Sequence, residues 1–133
     1  MNNYEDSKMS KAGKKIPKVF ESEYKFCLVL WECEPMSAAD LARVCRDRLQ
    51  WSRTTTYTVI KKLGDRGILE NKNGAVRSLV TKDEILLSDM DELMEKRFGG
   101  SVPTFIATFA KRQNLSEEEI EEIKNIIENS GKR

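Results

Sequence analysis

Residues Trp51 to Leu63, W-S-R-T-T-T-Y-T-V-I-K-K-L, carry donors and apolar groups at spacings that one helix would separate onto two sides. One side holds Thr56, Val59, Ile60 and Leu63, the i, i+3, i+4, i+7 pattern of a helix packed on a core. The other side holds Arg53, Thr54, Tyr57, Thr58, Lys61 and Lys62. Hydroxyls and a phenol reach base edges and phosphate oxygens, and cations neutralise phosphate, so this face has the chemistry of a helix that enters a DNA major groove. The competing reading is a half-exposed strand, because threonine, tyrosine and valine favour strands. Alternation would then group Thr54, Thr56, Thr58 and Ile60, a poor core. The following K-K-L-G-D-R-G-I-L runs through helix formers to a stop at Gly64 or Gly67. A recognition helix is the expectation.

The segments before and after it must position that helix. Glu21 to Cys33 sets Tyr24, Cys27, Leu28, Leu30 and Trp31 at mixed spacings of three and four, an amphipathic scaffold helix. Pro35 ends it. Ser37 with Asp40 resembles a capping box that opens a second helix through Leu41 and Val44 to about Arg48. The short D-R-L-Q link then delivers the chain to the threonine-rich helix, in the manner of a helix-turn-helix. After Gly67, I-L-E-N-K-N-G-A-V-R-S-L-V reads as two short strands around an Asn73-Gly74 turn, a hairpin in the position of a wing. Lys72 and Arg77 flank its tip, placed for a phosphate backbone or the adjacent minor groove.

Further on, Thr81 and Glu84 form a second capping box, and Ile85, Leu86, Met90, Leu93 and Met94 share one side of a helix that extends towards Phe98 and breaks at Gly99-Gly100. The segment V-P-T-F-I-A-T-F-A-K-R offers Phe105, Ile106 and Phe109, and Ser116 with Glu119 caps a last helix bearing Ile120, Ile123, Ile126 and Ile127. Three short helices with wide apolar faces are too small to close a core alone, which predicts a symmetric dimer. Its expected surface is Ile85, Leu86, Met90, Leu93, Phe105, Ile106, Phe109, Ile120, Ile123 and Ile127. The alternative is that these helices fold back on the winged helix within one monomer.

Charge divides along the same line. The 133 residues carry a net charge of +1, but residues 1 to 82 hold 16 Lys+Arg against 10 Asp+Glu, and residues 83 to 133 hold 7 against 12. A net +6 before the cut and −5 after it suggest that the first part faces a polyanion and the second does other work. The expected organisation is a flexible basic arm over 1–18, with Lys8, Lys11, Lys14, Lys15 and Lys18, then a winged helix-turn-helix domain over 19–82 and a helical dimerisation domain over 83–133. The fold class is mainly α with a small β-hairpin wing.

Other chemistries find little support. Cys27, Cys33 and Cys45 form no C-x-x-C pair and the chain has no histidine, so no ordinary zinc or copper site can be assembled and no cofactor is expected. Cys27 reads as a small buried hydrophobe, and thiol sensing at Cys33 or Cys45 stays open. With no histidine, no glycine-rich phosphate loop and no nucleophile beside an obvious base, an enzyme is not expected. No run of about eighteen apolar residues and no leader-like segment is present, which predicts a cytoplasmic protein without direct membrane binding.

In its order of elements the chain resembles the penicillinase and methicillin-resistance repressor family, BlaI/MecI-type. The resemblance covers residues 19 to about 129 and rests on E-Y-K-F-C-L-V-L-W, W-S-R-T-T-T-Y-T-V-I-K-K-L, K-K-L-G-D-R-G-I-L and F-I-A-T-F-A-K-R-Q-N-L-S-E-E-E-I-E-E-I, in that order. It implies a cytoplasmic homodimeric repressor that binds palindromic operators near β-lactam resistance genes. Operator contacts would fall on Arg53, Thr54, Thr55, Tyr57 and Thr58, with Lys62 and Arg77 on the backbone; helical spacing alone leaves Thr55 at the flank. It also implies a membrane-bound β-lactam sensor protease as partner and cleavage in the dimerisation region at Thr108-Phe109, where this chain keeps the phenylalanine of the family's Asn-Phe bond but not the asparagine. Thr56 stands where the family usually has a buried valine or isoleucine, and Leu79 where its wing tends to carry tyrosine. The cysteine cluster of copper-responsive relatives is absent. No small-molecule substrate is implied. The competing function is a winged helix used as a protein-interaction module without sequence-specific DNA binding, which salt dependence of affinity would separate.

Overall fold

A computed structural model describes residues 16–131; most of the expected basic arm, including Lys8, Lys11, Lys14 and Lys15, lies outside the described residues. The elements run α1 (Glu21–Cys33), α2 (Ala38–Leu49), α3 (Arg53–Asp65), β1 (Leu69–Lys72), β2 (Ala75–Ser78), α4 (Lys82–Phe98), α5 (Val102–Arg112) and α6 (Glu117–Ser130). They fall into two compact units that divide inside α4, between Glu92 and Leu93.

Local chemistry sets most boundaries of the first unit. At the start of α1 the Phe20 N–H donates to Glu23 Oε1 at 3.0 Å, and after its end Pro35 cannot supply a helical N–H. Ser37 Oγ accepts from the Asp40 N–H at 3.1 Å to cap α2. The reciprocal half of the expected box does not form, because the Asp40 carboxylate pairs with Arg43 instead. Helix α2 runs through Leu49, so the turn is Gln50 to Ser52 rather than the D-R-L-Q link; Gln50 adopts the left-handed region at φ 58°. Ser52 Oγ accepts from the Thr55 N–H at 3.1 Å and starts α3 two residues later than Trp51. Of the two candidate stops, Gly67 is the one that turns the chain, at φ 79°. There Ile68 N–H donates to Leu63 O at 2.9 Å, closing the helix end.

The strands pair antiparallel with Leu69 opposite Ser78 and Lys72 opposite Ala75. Asn73 (φ 54°) and Gly74 (φ 78°) form the connecting turn, and both dihedrals are those of the type I′ hairpin that an Asn-Gly pair favours. Met36 adds an isolated bridge to Val76, extending the pairing to the link between α1 and α2. The Trp31 indole N–H donates to Ser78 Oγ (3.1 Å) and Val80 O (3.0 Å), and Ser78 N–H donates to Glu34 Oε1 (2.7 Å), so the end of α1 holds the base of the wing.

The core of this unit is closed. Phe26, Leu30, Leu41, Cys45, Leu63, Ile68, Val76 and Ile85 are fully buried, and Phe26 stacks on Trp51 with centroids 6.2 Å apart. Two expectations need correction here. Ile85, assigned to a dimer surface, lies in this core, which is why the first turns of α4 belong to the first unit and the division falls ten residues beyond Lys82. The described end of the basic arm is likewise not free: Ile16 is buried, and Lys18 Nζ lies 3.7 Å from Glu92 and over the Phe20 ring.

In the second unit, Gly99 and Gly100, both at positive φ, end α4. Ser101 caps α5, and Ser116 with Glu119 forms the expected box at α6 with bonds of 3.0 and 3.1 Å. Phe98 meets Phe105 edge-on at 5.3 Å, and Phe105 packs against Phe109 at 6.2 Å. No residue of α5 or α6 is buried.

Candidate nucleic-acid interface

Helix α3 divides as its spacing predicts. Thr56, Ile60 and Leu63 are buried and Val59 half-buried, while Arg53, Thr54, Thr55, Tyr57, Thr58, Lys61 and Lys62 are exposed. Nearly three turns of the helix thus present donors outward, with the inner face fixed on the core. Each outward side chain has a distinct state. Arg53 Nε donates to the Tyr57 hydroxyl at 2.9 Å. Thr55 Oγ1 lies 2.9 Å from Ser52 Oγ, so its hydroxyl belongs to the helix cap, consistent with its flanking position. Thr54 and Thr58 have no side-chain hydrogen-bond partner among the described residues. Lys61 lies 3.4 Å from Asp65, a pair so exposed that it is worth little and opens easily. Lys62, one residue further on, is exposed as well and lies near enough to Glu23 to help hold its carboxyl low.

On the wing, Lys72 and Arg77 are both exposed, but the register sets Arg77 opposite Glu70 and Lys72 opposite Ala75. Residues opposite one another share a face, so Lys72, Glu70 and Arg77 lie together on the side away from buried Val76. Lys72 stands at the tip and Arg77 two residues back from it, beside a carboxylate that tempers its charge.

Several residues that hold this interface escaped the sequence reading. Arg66, just past α3, donates Nη1 to Glu23 Oε2 (2.9 Å) and Nη2 to Glu23 Oε1 (2.5 Å), and Nη2 also donates to Lys18 O (2.9 Å). This bidentate pair fastens the C-terminal end of α3 to the start of α1. The hydrogen bond from Arg66 holds the Glu23 carboxyl below its ordinary value, burial opposing and the Phe20 N–H assisting. The partners are 43 residues apart, so no local pattern could announce them. Arg46, in the last turn of α2, is exposed and unpaired among the described residues; the first helix of a helix-turn-helix crosses the DNA backbone, which makes it a further phosphate contact candidate.

The thiols are quiet by comparison. Burial pushes Cys27 up to about 12 and raises Cys45, with the Thr56 hydroxyl opposing at Cys45, so neither is poised as a thiolate. Among the described residues no group of histidine, cysteine or acidic side chains could hold a metal ion, and no helix is long and apolar enough to cross a membrane.

A reading helix after a tight turn, followed by a hairpin, is the winged helix-turn-helix arrangement. The family model described as penicillinase repressor matches residues 20–129. The chain belongs to the penicillinase repressor family. It is therefore a transcriptional repressor by family, and that family is not one of enzymes. The repressor is 26% identical over 117 residues to the methicillin resistance regulatory protein MecI of Staphylococcus aureus, covering 85% of this chain and 95% of that one. It is also 26% identical over 120 residues to the penicillinase repressor of Bacillus licheniformis, covering 86% and 93%. Among solved structures it is similar to a MarR family protein of Mycobacterium tuberculosis in complex with DNA (TM-score 0.40, 21% identity, 86% of this chain and 78% of that one).

Proposed function

We propose that this repressor binds palindromic operators as a homodimer, each protomer laying α3 in a major groove, and that the operators control β-lactam resistance genes. The observation that carries the reading is the outward face of α3, where Arg53, Thr54, Tyr57, Thr58, Lys61 and Lys62 are all exposed while the inner face is anchored. Arg53, Thr54, Tyr57 and Thr58 read bases, Thr55 caps the helix beside them, and Lys61, Lys62, Lys72 and Arg77 contact phosphates. Double-stranded DNA and a second copy of the chain are the partners, in the cytoplasm.

The dimer surface is formed by Leu86, Met90, Leu93, Phe105, Ile106, Phe109, Ile120, Ile123 and Ile127. Leu86, Met90, Leu93, Ile106, Phe109, Ile120 and Ile127 are each about 40–55% exposed in the single chain, apolar surface of a kind that association would cover. Release of the operator follows cleavage at Thr108-Phe109 by a membrane-bound β-lactam sensor protease or a protease it activates. That bond lies inside α5, where Thr108 Oγ1 donates to Thr104 O at 2.8 Å, so α5 must open locally before a protease can take it in extended form. A cut there separates α6 from the rest of the dimer surface, and a monomer loses the linked second half-site.

Fluorescence anisotropy tests the reading, with DNA from upstream of this gene and of neighbouring β-lactamase or sensor genes against scrambled DNA, across a salt series. Specific binding should show one dimer per palindrome and a log-log salt slope of roughly −0.9 per phosphate contact. Thr58→Ala and Tyr57→Ala should weaken it and blur its sequence preference. Equal, weak, salt-sensitive binding to both DNAs would overturn the operator reading.

A further inference from the structure

We infer that Arg53 and Tyr57 act as one specificity-determining unit that reads a guanine in each half-site. The inference rests on the DNA-reading function proposed above and deepens it by naming the base and the donors. Arg53 is the first residue of α3, and in a helix-turn-helix the N-terminal residues of the second helix are the ones that meet base edges. Tyr57 follows it at i+4, on the same face. The two side chains are already joined: Arg53 Nε donates to the Tyr57 hydroxyl at 2.9 Å, and the guanidinium carbon lies 5.3 Å from the ring centroid.

This contact decides which edge of the guanidinium remains available. With Nε engaged, the outer fork of Nη1 and Nη2 is left, and neither nitrogen has a partner among the described residues. Two parallel donors fit two adjacent acceptors. In the major groove guanine alone offers that pair, N7 and O6; adenine offers one acceptor and one donor, thymine one acceptor and a methyl, cytosine a donor. Tyr57, having accepted from Nε, keeps its own hydroxyl proton for a phosphate or base acceptor beside the guanine. An arginine on a flexible stem loses rotamer freedom when it docks; one held by Tyr57 before DNA arrives loses less.

A phosphate could also accept the fork, and substitution by lysine separates the two uses, since lysine keeps the charge and loses the planar fork. The test selects sites from a random DNA pool with the full chain and then titrates the consensus and its single-base variants at one salt concentration. It compares the wild-type protein with Arg53→Lys and Tyr57→Phe. The wild-type consensus should contain a guanine in each half-site whose replacement weakens binding roughly 10- to 100-fold. Arg53→Lys should remove most of that penalty and leave the penalties at other positions intact, and Tyr57→Phe should reduce it by a smaller factor at the same position only. Both side chains are exposed, so thermal unfolding should be unchanged in both variants.

Four outcomes overturn the inference. If Arg53→Lys leaves every base penalty unchanged, Arg53 serves phosphate. If Tyr57→Phe leaves the guanine penalty unchanged, the two residues are not a unit. If the wild-type consensus lacks such a guanine, the base assignment fails while DNA reading stands; a pool that yields no consensus at all brings down both.

Discussion

The unit up to Glu92 closes a buried apolar core; in the unit from Leu93 onward no residue of α5 or α6 is buried. In the first unit Phe26, Leu30, Leu41, Leu63, Ile68 and Val76 are completely buried, whereas in the second Val102, Ile126 and Ile127 stand 58%, 60% and 53% exposed. Both stretches have amphipathic helices with well-formed caps. The difference is that three helices and a hairpin surround a common centre in one, while in the other Phe98, Phe105 and Phe109 touch one another but no residue of α5 or α6 is buried. Helical periodicity announces that a face is apolar. It does not announce what covers it.

The sharpest way to break this comparison is to place charge on the uncovered face. Ile106→Asp combined with Phe109→Asp should make the protein monomeric in sedimentation and lower its affinity for a palindrome by roughly 10²- to 10⁴-fold, since the second half-site is no longer linked to the first. Affinity for an isolated half-site and the unfolding of the first unit should not move. If the doubly charged variant still sediments as a dimer, another surface holds the protomers together.

Core substitution in the first unit should behave in the opposite way. Phe26→Ala removes a fully buried ring stacked on Trp51 and should lower the unfolding free energy by about 3–5 kcal/mol in urea, the cost of lost transfer plus a cavity. That loss should be the same at every protein concentration, because the unit closes its own core. A loss that grows on dilution would mean that the first unit depends on association as well.

Glu23 sits between these extremes, joining elements within the first unit through Arg66. Glu23→Gln removes one ionic partner of a bidentate pair and should lower stability by roughly 1–3 kcal/mol near neutral pH. The sign of the pH dependence follows from the folded carboxyl lying below its ordinary value of 4.5. The stabilisation is complete above that value and fades as the pH falls through the lower folded value. The unfolding free energy of the wild-type protein should therefore fall more steeply between neutral pH and the acid range than that of Glu23→Gln, and parallel curves would show that the pair does not couple to folding.

These contrasts also separate what the sequence carried from what it did not. The reading helix, the Asn73-Gly74 turn and the caps at Thr81 and Ser116 were legible because each is specified within four or five neighbouring residues. The outward donors of α3 were legible for the same reason, by periodicity. The Glu23–Arg66 pair and the Trp31 bonds to the wing base join residues more than 40 positions apart, and local patterns carry no such information. Ile85 was misplaced because it stands about 100° around α4 from Leu86, Met90 and Leu93, on the side it shares with Asp89 and Glu92, and that side meets the core of the first unit. The half-formed cap at Ser37 failed for a local reason that the pattern also hid: Arg43, one turn on, competes for the Asp40 carboxylate.

The smallest effect concerns a fault inside the closed core. Thr56 is fully buried on the inner face of α3, and its hydroxyl has no geometrically sound hydrogen bond; the sulfur of Cys45 is the polar group that it meets weakly. A buried hydroxyl that meets only a weakly accepting sulfur recovers little of its desolvation cost, and valine has nearly the same shape and a similar helix propensity. Thr56→Val should therefore stabilise the first unit by about 1 kcal/mol, measured as a rise in the urea midpoint at unchanged slope. Operator affinity should stay the same, because the side chain faces away from the outward donors. Destabilisation would mean that the thiol of Cys45 satisfies the hydroxyl after all, and that a sulfur contact, rather than apolar packing alone, seats the N-terminal half of the reading helix.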